Sequence, residues 1–359
     1  MNFIDRTKFI HNALFTKNVS YLIFFVTSRC NARCHHCFYW NRLNNGEEEL
    51  NLSQIEQMCS KYKYFQYVTL TGGEPFLRND LPEIVSAFHK LSGTRLFVIP
   101  TNGTLRDRMF DNIEKMVKKR KNIFIKFQFS VDGVGTDHDE LRGIPNLYED
   151  LFMLFRDLRT MQIKYPRFSL DITTAMTSSN KHKMEKIIDA VDKDFKPDNH
   201  NIALARLDSR TPEVADVSVH EYLAAVDYLL KKRKPKERKP FSGVIRAMYS
   251  LNTKIVAESR EANKMAIPCV CGEKMIIIRE NGAVLPCELR PPEMGNLKDY
   301  DMDLGKLLQS EQAQGISDRI KKGYCPPCSW ECAIFANVLM NPKLYKRLLK
   351  PVYREYFNA

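Results

Sequence analysis

Residues 19–37 read VSYLIFFVTSRCNARCHHC. The first eight are almost wholly apolar and rich in aromatic and β-branched types, the pattern of a strand buried on both faces. A loop carrying Cys30, Cys34 and Cys37 at C-x3-C-x2-C spacing follows directly. Outward from that loop the same grammar repeats. Residues 52–62 have helical spacing, with Ser53 as the expected cap and Glu56 three residues on. Strand QYVTL (66–70) precedes a helix at 80–91, and RLFVIP (95–100) precedes one at 105–119. Strand NIFIKFQFSV (122–131) precedes a helix at 146–162, and RFSLDITTAM (167–176) one at 181–193. NIALARL (201–207) closes the series. Six strands alternating with amphipathic helices predict parallel βαβ units of an α/β fold, wound by right-handed crossovers into an open or closed barrel. Polar clusters then belong in the loops after strand C-termini. The cysteine loop, TGGEP, TNG and SVDG all fall there, on one rim.

The chain has 359 residues and an ordinary globular composition, which excludes fibrous and disordered classes. No apolar run reaches about 18 residues, so no membrane-spanning helix is expected. The N-terminal stretch MNFIDRTKFIHNALF is charged throughout and is not read as an export signal, which predicts a cytoplasmic protein. Only about 18 residues precede the first strand, so no N-terminal peptide-recognition domain is expected. The net charge of +12 suits an acidic partner without choosing one. No basic groove with stacking aromatics appears, so no nucleic-acid partner is expected.

Beyond residue 208 the pattern changes. Helices are expected at 218–234 and 241–258, with the basic run KKRKPKERKP (231–240) as a solvated helix end and linker. MIIIRENGAVLPC reads as a hairpin turning at Asn281-Gly282. The expected organisation is an N-terminal segment (1–18), a barrel (19–210), a helical linker (211–261), a small cysteine-rich domain (262–335) and a basic tail (336–359). In the tail, Leu344, Leu348 and Leu349 are expected on one face of a short helix docked on the barrel; contact with an acidic electron donor or a membrane surface is the sharper alternative.

Ten cysteines in a chain without an export signal point to metal or redox chemistry rather than disulfides. Three thiolates on one short loop can converge on a soft metal. Three is one fewer than the corners of a four-iron cluster, so one iron stays open to a ligand. A zinc site completed by His35 or His36 is the alternative. The second set lies at 269–332. Cys269 and Cys287 flank the hairpin, and Cys325 and Cys328 form a C-x2-C knuckle. Four thiolates from two loops close a zinc or a four-iron site alike. Cys59, alone on its helix, reads as an ordinary core or surface thiol.

The cysteine loop, GGEP and SxDG in this order resemble the radical S-adenosylmethionine (SAM) superfamily. The resemblance implies a partial (β/α)6 TIM-like barrel and a [4Fe-4S] cluster on Cys30, Cys34 and Cys37. The open iron would chelate SAM and cleave it to a 5′-deoxyadenosyl radical that abstracts a substrate hydrogen. It places His36 where the family has an aromatic beside the adenine, and Gly72, Gly73 and Glu74 at the SAM amino group. Ser130 and Asp132 are implied near SAM, Arg142 at its carboxylate, and Asn102 and Asn180 near the ribose. Residues 269–332 resemble the SPASM/twitch extensions, a cysteine-rich α+β unit. That implies one auxiliary [4Fe-4S] cluster on Cys269, Cys287, Cys325 and Cys328. Cys271 is extra and can substitute for Cys269, and Cys271 with Cys332 keeps a second, incompletely ligated cluster in play.

The resemblance implies an oxidoreductase or peptide maturase, acting by oxidative modification or cross-linking of a ribosomal peptide. Oxidation or rearrangement of a sugar, aminocyclitol or lipid-precursor metabolite is the alternative, and a non-catalytic iron–sulfur or zinc-binding module a remote one. Flavodoxin or ferredoxin is the implied electron donor.

Overall fold

The computed structural model describes residues 11, 16, 18–118, 120, 122–206, 208–233, 242–289, 292–325 and 328–357. Most of the N-terminal segment, Leu207 at the end of the sixth strand, and 234–240 of the basic run lie outside the described residues.

The barrel half follows the expected alternation. Strand β1 (Tyr21–Thr27) is followed by α1 (Leu52–Lys61), β2 (Tyr67–Gly72), α2 (Leu81–Ala87), β3 (Leu96–Thr101) and α3 (Arg106–Val117). Then come β4 (Phe124–Ser130), α4 (Thr136–Arg142), α5 (Leu147–Lys164), β5 (Phe168–Met176), α6 (Met184–Ala190) and β6 (His200–Leu204). All neighbours from β1 to β6 pair in parallel and in sequence order. The sheet is not closed on itself: β6 is one edge. Helices cover the outer face, where Phe97, Phe127, Phe129 and Phe155 are buried. The inner face is different. On β4, buried Ile125, Phe127 and Phe129 alternate with partly exposed Lys126, Gln128 and Ser130. A strand with period-two burial presents one face to the core and the other to an accessible lumen.

Three local expectations are corrected. Asn51, not Ser53, caps α1: its Oδ1 accepts from the Gln54 amide at 3.0 Å, and Gln54 Oε1 accepts from the Asn51 amide at 2.9 Å. That reciprocal pair satisfies two end-of-helix donors, and loss of such a cap costs about 1 kcal/mol. Helix α2 stops at Ala87, and the chain widens into a π-turn at Phe88–Ser92 before Gly93 takes a φ of 78°. The short helix α4 has no place in the expected series.

The C-terminal part continues the same sheet. Helices α7 (Val219–Lys232) and α8 (Ser242–Glu261) lead to β7 (Met275–Ile278), which pairs in parallel with β1, Ile277 opposite Ile23. The hairpin partner β8 (Ala283–Leu285) and β9 (Gly295–Asn296) extend it antiparallel. The turn residue Gly282 has a φ of 94°, and its amide donates to the Arg279 carbonyl at 3.0 Å. The cysteine-rich stretch therefore shares one nine-stranded sheet with the barrel. Helices α9 (Leu304–Leu308) and α10 (Glu311–Lys321) follow, then α11 (Glu331–Met340) and α12 (Tyr345–Phe357), both packed on α8. The tail docks, but not as one leucine face. Leu344 is buried and Leu348 half-buried, whereas Leu349 is 70% exposed, a helical step past the buried side. No described helix is long and apolar enough to cross a membrane.

Candidate active site

The cysteine loop is held from both sides. The amides of Arg33 and His35 donate to the Arg142 and Leu141 carbonyls at the end of α4, both at 3.1 Å. The amides of Arg210 and Thr211 donate to the Cys37 and His35 carbonyls at 2.9 and 3.0 Å. Asn44 fastens its start: the Cys30 amide donates to Asn44 Oδ1, and Asn44 Nδ2 donates to the Cys30 carbonyl, both at 3.0 Å. A side chain here takes the place of a strand neighbour and satisfies the exposed backbone. Among the described residues, no three His, Cys, Asp or Glu side chains stand as a ready-made metal group. Burial pushes the thiols of Cys30, up to about 12, and Cys37 upward. Ligating thiols must be deprotonated, so metal binding at these thiols would release protons.

The two glycines of GGEP fit one loop against another. A Cβ on Gly72 would stand 2.1 Å from the Thr27 carbonyl oxygen, and one on Gly73 2.1 Å from that of Arg29. The Gly73 and Glu74 amides donate to these two carbonyls at 2.8 Å. The segment's donors are thus spent on the cysteine loop. Glu74 is 1% exposed. Its Oε1 accepts from the Thr101 hydroxyl at 2.9 Å and the Phe76 amide at 3.1 Å, and its Oε2 from the Asn102 amide at 2.7 Å. Burial pushes its carboxyl up to about 7 against those donors. Glu74 pins the end of β2 to the end of β3. Asn102 Nδ2 then donates to Asn31 Oδ1 at 2.9 Å and ties the third rim loop to the cysteine loop.

Asp132 is the hub of the rim. It is fully buried, and its Oδ2 lies 2.5 Å from Arg142 Nη2 and 3.5 Å from His36 Nε2. Its Oδ1 accepts from the Ala175 amide at 2.7 Å. Burial alone would push this carboxyl up; the Arg142 charge, His36, His138 and that amide outweigh it and hold the group below the usual range. Arg142 also donates through Nη1 to Cys34 Sγ at 3.6 Å. Burial lowers the imidazole of His36 to about 4, so the ring is neutral. Nδ1 of His36 and Nε of Arg142 are buried without a hydrogen-bond partner among the described residues. Asn180 acts beneath the rim: its Nδ2 donates to the Asp132 and Ala175 carbonyls, both at 2.8 Å. Ser130 ends β4 on its partly exposed lumen face.

The second thiol set is divided. Cys269, Cys271, Cys287, Cys325 and Cys328 line one apolar cavity closed by Met265, Ile320 and Trp330. The Trp330 amide donates to Cys328 Sγ at 3.5 Å. Cys332 is not among the lining residues. It faces the lumen side, where Glu288, Glu331 and Arg206 act on it and it acts on Tyr21 and Tyr67. Helical geometry explains this. Cys332 is the second residue of α11, and the buried Ala333 after it, not Cys332, turns to the cavity.

Sequence reasoning missed Arg206. Its guanidinium lies 4.1 Å over the Phe38 ring, next to Cys37, and it pairs with Glu288, next to Cys287. It also holds Asp208 at 2.7 Å. Nothing in a lone arginine after a strand signals a contact spanning 82 residues.

Residues 24–191 match the sequence profile of the radical SAM superfamily, and residues 269–333 that of an iron–sulfur cluster-binding domain. Among curated proteins, Fe-coproporphyrin III synthase of Methanosarcina barkeri is 28% identical over 222 residues, 60% of this chain and 52% of the relative. Pre-heme d1 synthase of Dinoroseobacter shibae is 26% identical over 48% of this chain and 40% of the relative. The chain thus spans about half the length of these relatives. Among solved structures, Streptococcus suis SuiB bound to its precursor peptide SuiA superposes with a TM-score of 0.61 at 17% identity, over 88% of this chain and 70% of that one. The anSMEcpe protein with bound AdoMet gives 0.56 at 18%, over 95% and 97%. At these identities the likeness is one of fold.

Proposed function

We propose that this chain, which belongs to the radical SAM superfamily and is one of its enzymes, oxidatively modifies a peptide segment held in the barrel lumen between its two thiol sets. The observation that carries the reading is Arg206, which touches the neighbour of Cys37 through Phe38 and the neighbour of Cys287 through Glu288. The neighbours of both sets therefore meet at one arginine on the lumen side.

The residues fit the cofactors of the family. Three thiols on a loop leave a coordination site free for a ligand. The unpartnered His36 Nδ1 and Arg142 Nε are buried polar atoms beside Cys34 that a polar ligand would satisfy. When bound, the cluster and SAM supply a one-electron reductive cleavage that yields a hydrogen-abstracting radical. We assign Cys30, Cys34 and Cys37 to that cluster, and the cavity thiols to an auxiliary cluster.

The chain's own residues orient and exclude water. Arg142, held by Asp132, keeps a guanidinium against the Cys34 sulfur and leaves its Nε donor buried and unspent. Glu74, Asn102 and Asn180 hold the rim loops in register from below. On the lumen face, the partly exposed Lys126, Gln128 and Thr173 carry both donors and acceptors, Gln128 Nε2 donating to Thr173 Oγ1 and Lys126 pairing with the buried Asp171, and exchange of these pairings suits the N–H and C=O groups of a peptide backbone. An acidic flavodoxin or ferredoxin is the electron donor that the net charge of +12 favours.

The peptide assignment is supported by the fold shared with SuiB, which is described bound to a precursor peptide. A different observation favours a small-molecule substrate: the two curated relatives are named as synthases of Fe-coproporphyrin III and pre-heme d1. The deciding experiment uses extract from cells grown in deuterated medium, incubated with reconstituted enzyme, SAM and reductant. Deuterium should appear in 5′-deoxyadenosine with the high-mass fraction and vanish after protease treatment. Protease-resistant transfer from the low-mass fraction would replace the peptide by a metabolite.

A further inference from the structure

We propose that the auxiliary site is a five-thiol site in which Cys269 and Cys271 are alternative fourth ligands, with Cys287, Cys325 and Cys328 as the constant three. The proposal rests on reading that cavity as a cluster site. A four-iron cluster bound by cysteine takes one thiolate per iron, four in all. Five thiols line the cavity, and Cys332, which would be a sixth, does not. One thiol is therefore surplus, and the geometry locates the surplus in a single pair.

Cys269 and Cys271 are two residues apart, and both line the same cavity. The two thiols interact directly. Both also share the cavity with the remaining set: Cys287 and Cys328 act on Cys271, and Cys269 and Cys325 act on Cys328. Their backbones differ. Cys271 is pinned by its bridge to Met275 and by the Gly272 amide donating to the Met275 carbonyl at 2.7 Å. Cys269 lies in irregular chain, with Asn337 of α11 acting on its thiol. A thiol on paired backbone and one on irregular backbone thus stand together in one cavity. Exchange between them leaves the number of thiolates on the cluster unchanged, so neither is required as long as the other remains.

The test counts metal in a Cys30/Cys34/Cys37→Ala parent, where all bound iron belongs to the auxiliary site. Cys269→Ala and Cys271→Ala should each keep about four irons, and their double variant and Cys287→Ala should each fall below about one. Cys271 is buried in the core, so Cys271→Val, which keeps the bulk, is measured beside it, with a thermal melt to certify the fold. The reduced spectra of the two single variants should differ from each other in electron paramagnetic resonance, because the ligand at one iron differs. Loss of iron in either single variant to the level of Cys287→Ala, iron retained in the double, or identical spectra would overturn the proposal. Zinc in place of iron in the parent would sink the iron–sulfur reading alone; the same count of metal would still decide whether the pair shares a corner.

Discussion

Arg142 binds two partners that lie far apart in the chain: Nη2 stands 2.5 Å from Asp132 Oδ2, and Nη1 donates to Cys34 Sγ at 3.6 Å. One guanidinium fork so joins the end of β4 to the middle thiol of the cysteine loop. A lysine, with a single point of charge, cannot span both.

That relationship has a thermodynamic consequence. Arg142→Met leaves the Asp132 carboxylate buried without its cation, at a cost of about 3–5 kcal/mol. Asp132→Asn combined with Arg142→Met should recover most of the loss. Chemical denaturation of the three proteins reads this directly. A double variant no more stable than Arg142→Met would show that the pair is not the source.

The glycine contacts predict a selective defect. Gly73→Ala places a methyl where the Arg29 carbonyl now lies, 2.1 Å away, so the backbone entering Cys30 must shift. Anaerobically reconstituted Gly73→Ala should lose the first cluster and keep the auxiliary one, about four irons of eight. A full complement with normal SAM cleavage would mean that the loop tolerates the shift.

The two thiol sets should separate by activity. Cys30→Ala, Cys34→Ala or Cys37→Ala abolishes SAM cleavage. Cys287→Ala or Cys328→Ala removes the auxiliary iron and substrate turnover while 5′-deoxyadenosine still forms. Mössbauer spectra with iron and sulfide counts check both halves, and substrate turnover by Cys34→Ala would refute the assignment of the first set.

Acid sensitivity should trace to buried histidine. Burial, helped by the Arg233 charge, lowers the His200 imidazole to about 3, and its Nε2 pairs with the Thr174 hydroxyl at 2.9 Å. The unfolded chain takes up this proton near pH 6.5, and the folded one only near pH 3. Within that window the unfolded state binds more protons, so stability falls as the pH falls, by up to about 1.4 kcal/mol per pH unit for one group. Burial likewise lowers His138 to about 4, which steepens the slope. In urea titrations between pH 7 and pH 5, His200→Gln should show the shallower dependence. An unchanged slope would place the acid sensitivity elsewhere.

Much of this was legible in the chain because it is local. The period-two and period-3.6 patterns announce strands and helices, and C-x3-C-x2-C, GGEP and SVDG each sit within a few residues after a strand. The cap at Asn51 was misread because Asn51-x-x-Gln54 and Ser53-x-x-Glu56 obey the same local rule, and only backbone direction at the helix start separates them. Glu74 reads as a carboxylate facing a ligand, yet its oxygens are taken by Thr101, Asn102 and Phe76, a fact set by the neighbouring strand.

By itself, the sequence determined the order of elements, the rim on which the polar loops gather and the two groups of cysteines, since these follow from spacing along one chain. Tertiary structure decided which cysteines share a cavity. It joined β7 to β1, turned Cys332 to the lumen while leaving five thiols together, and brought Arg206 between Phe38 and Glu288. Such contacts depend on how distant strands and helices pack, and spacing along the chain carries no record of a distance closed through space.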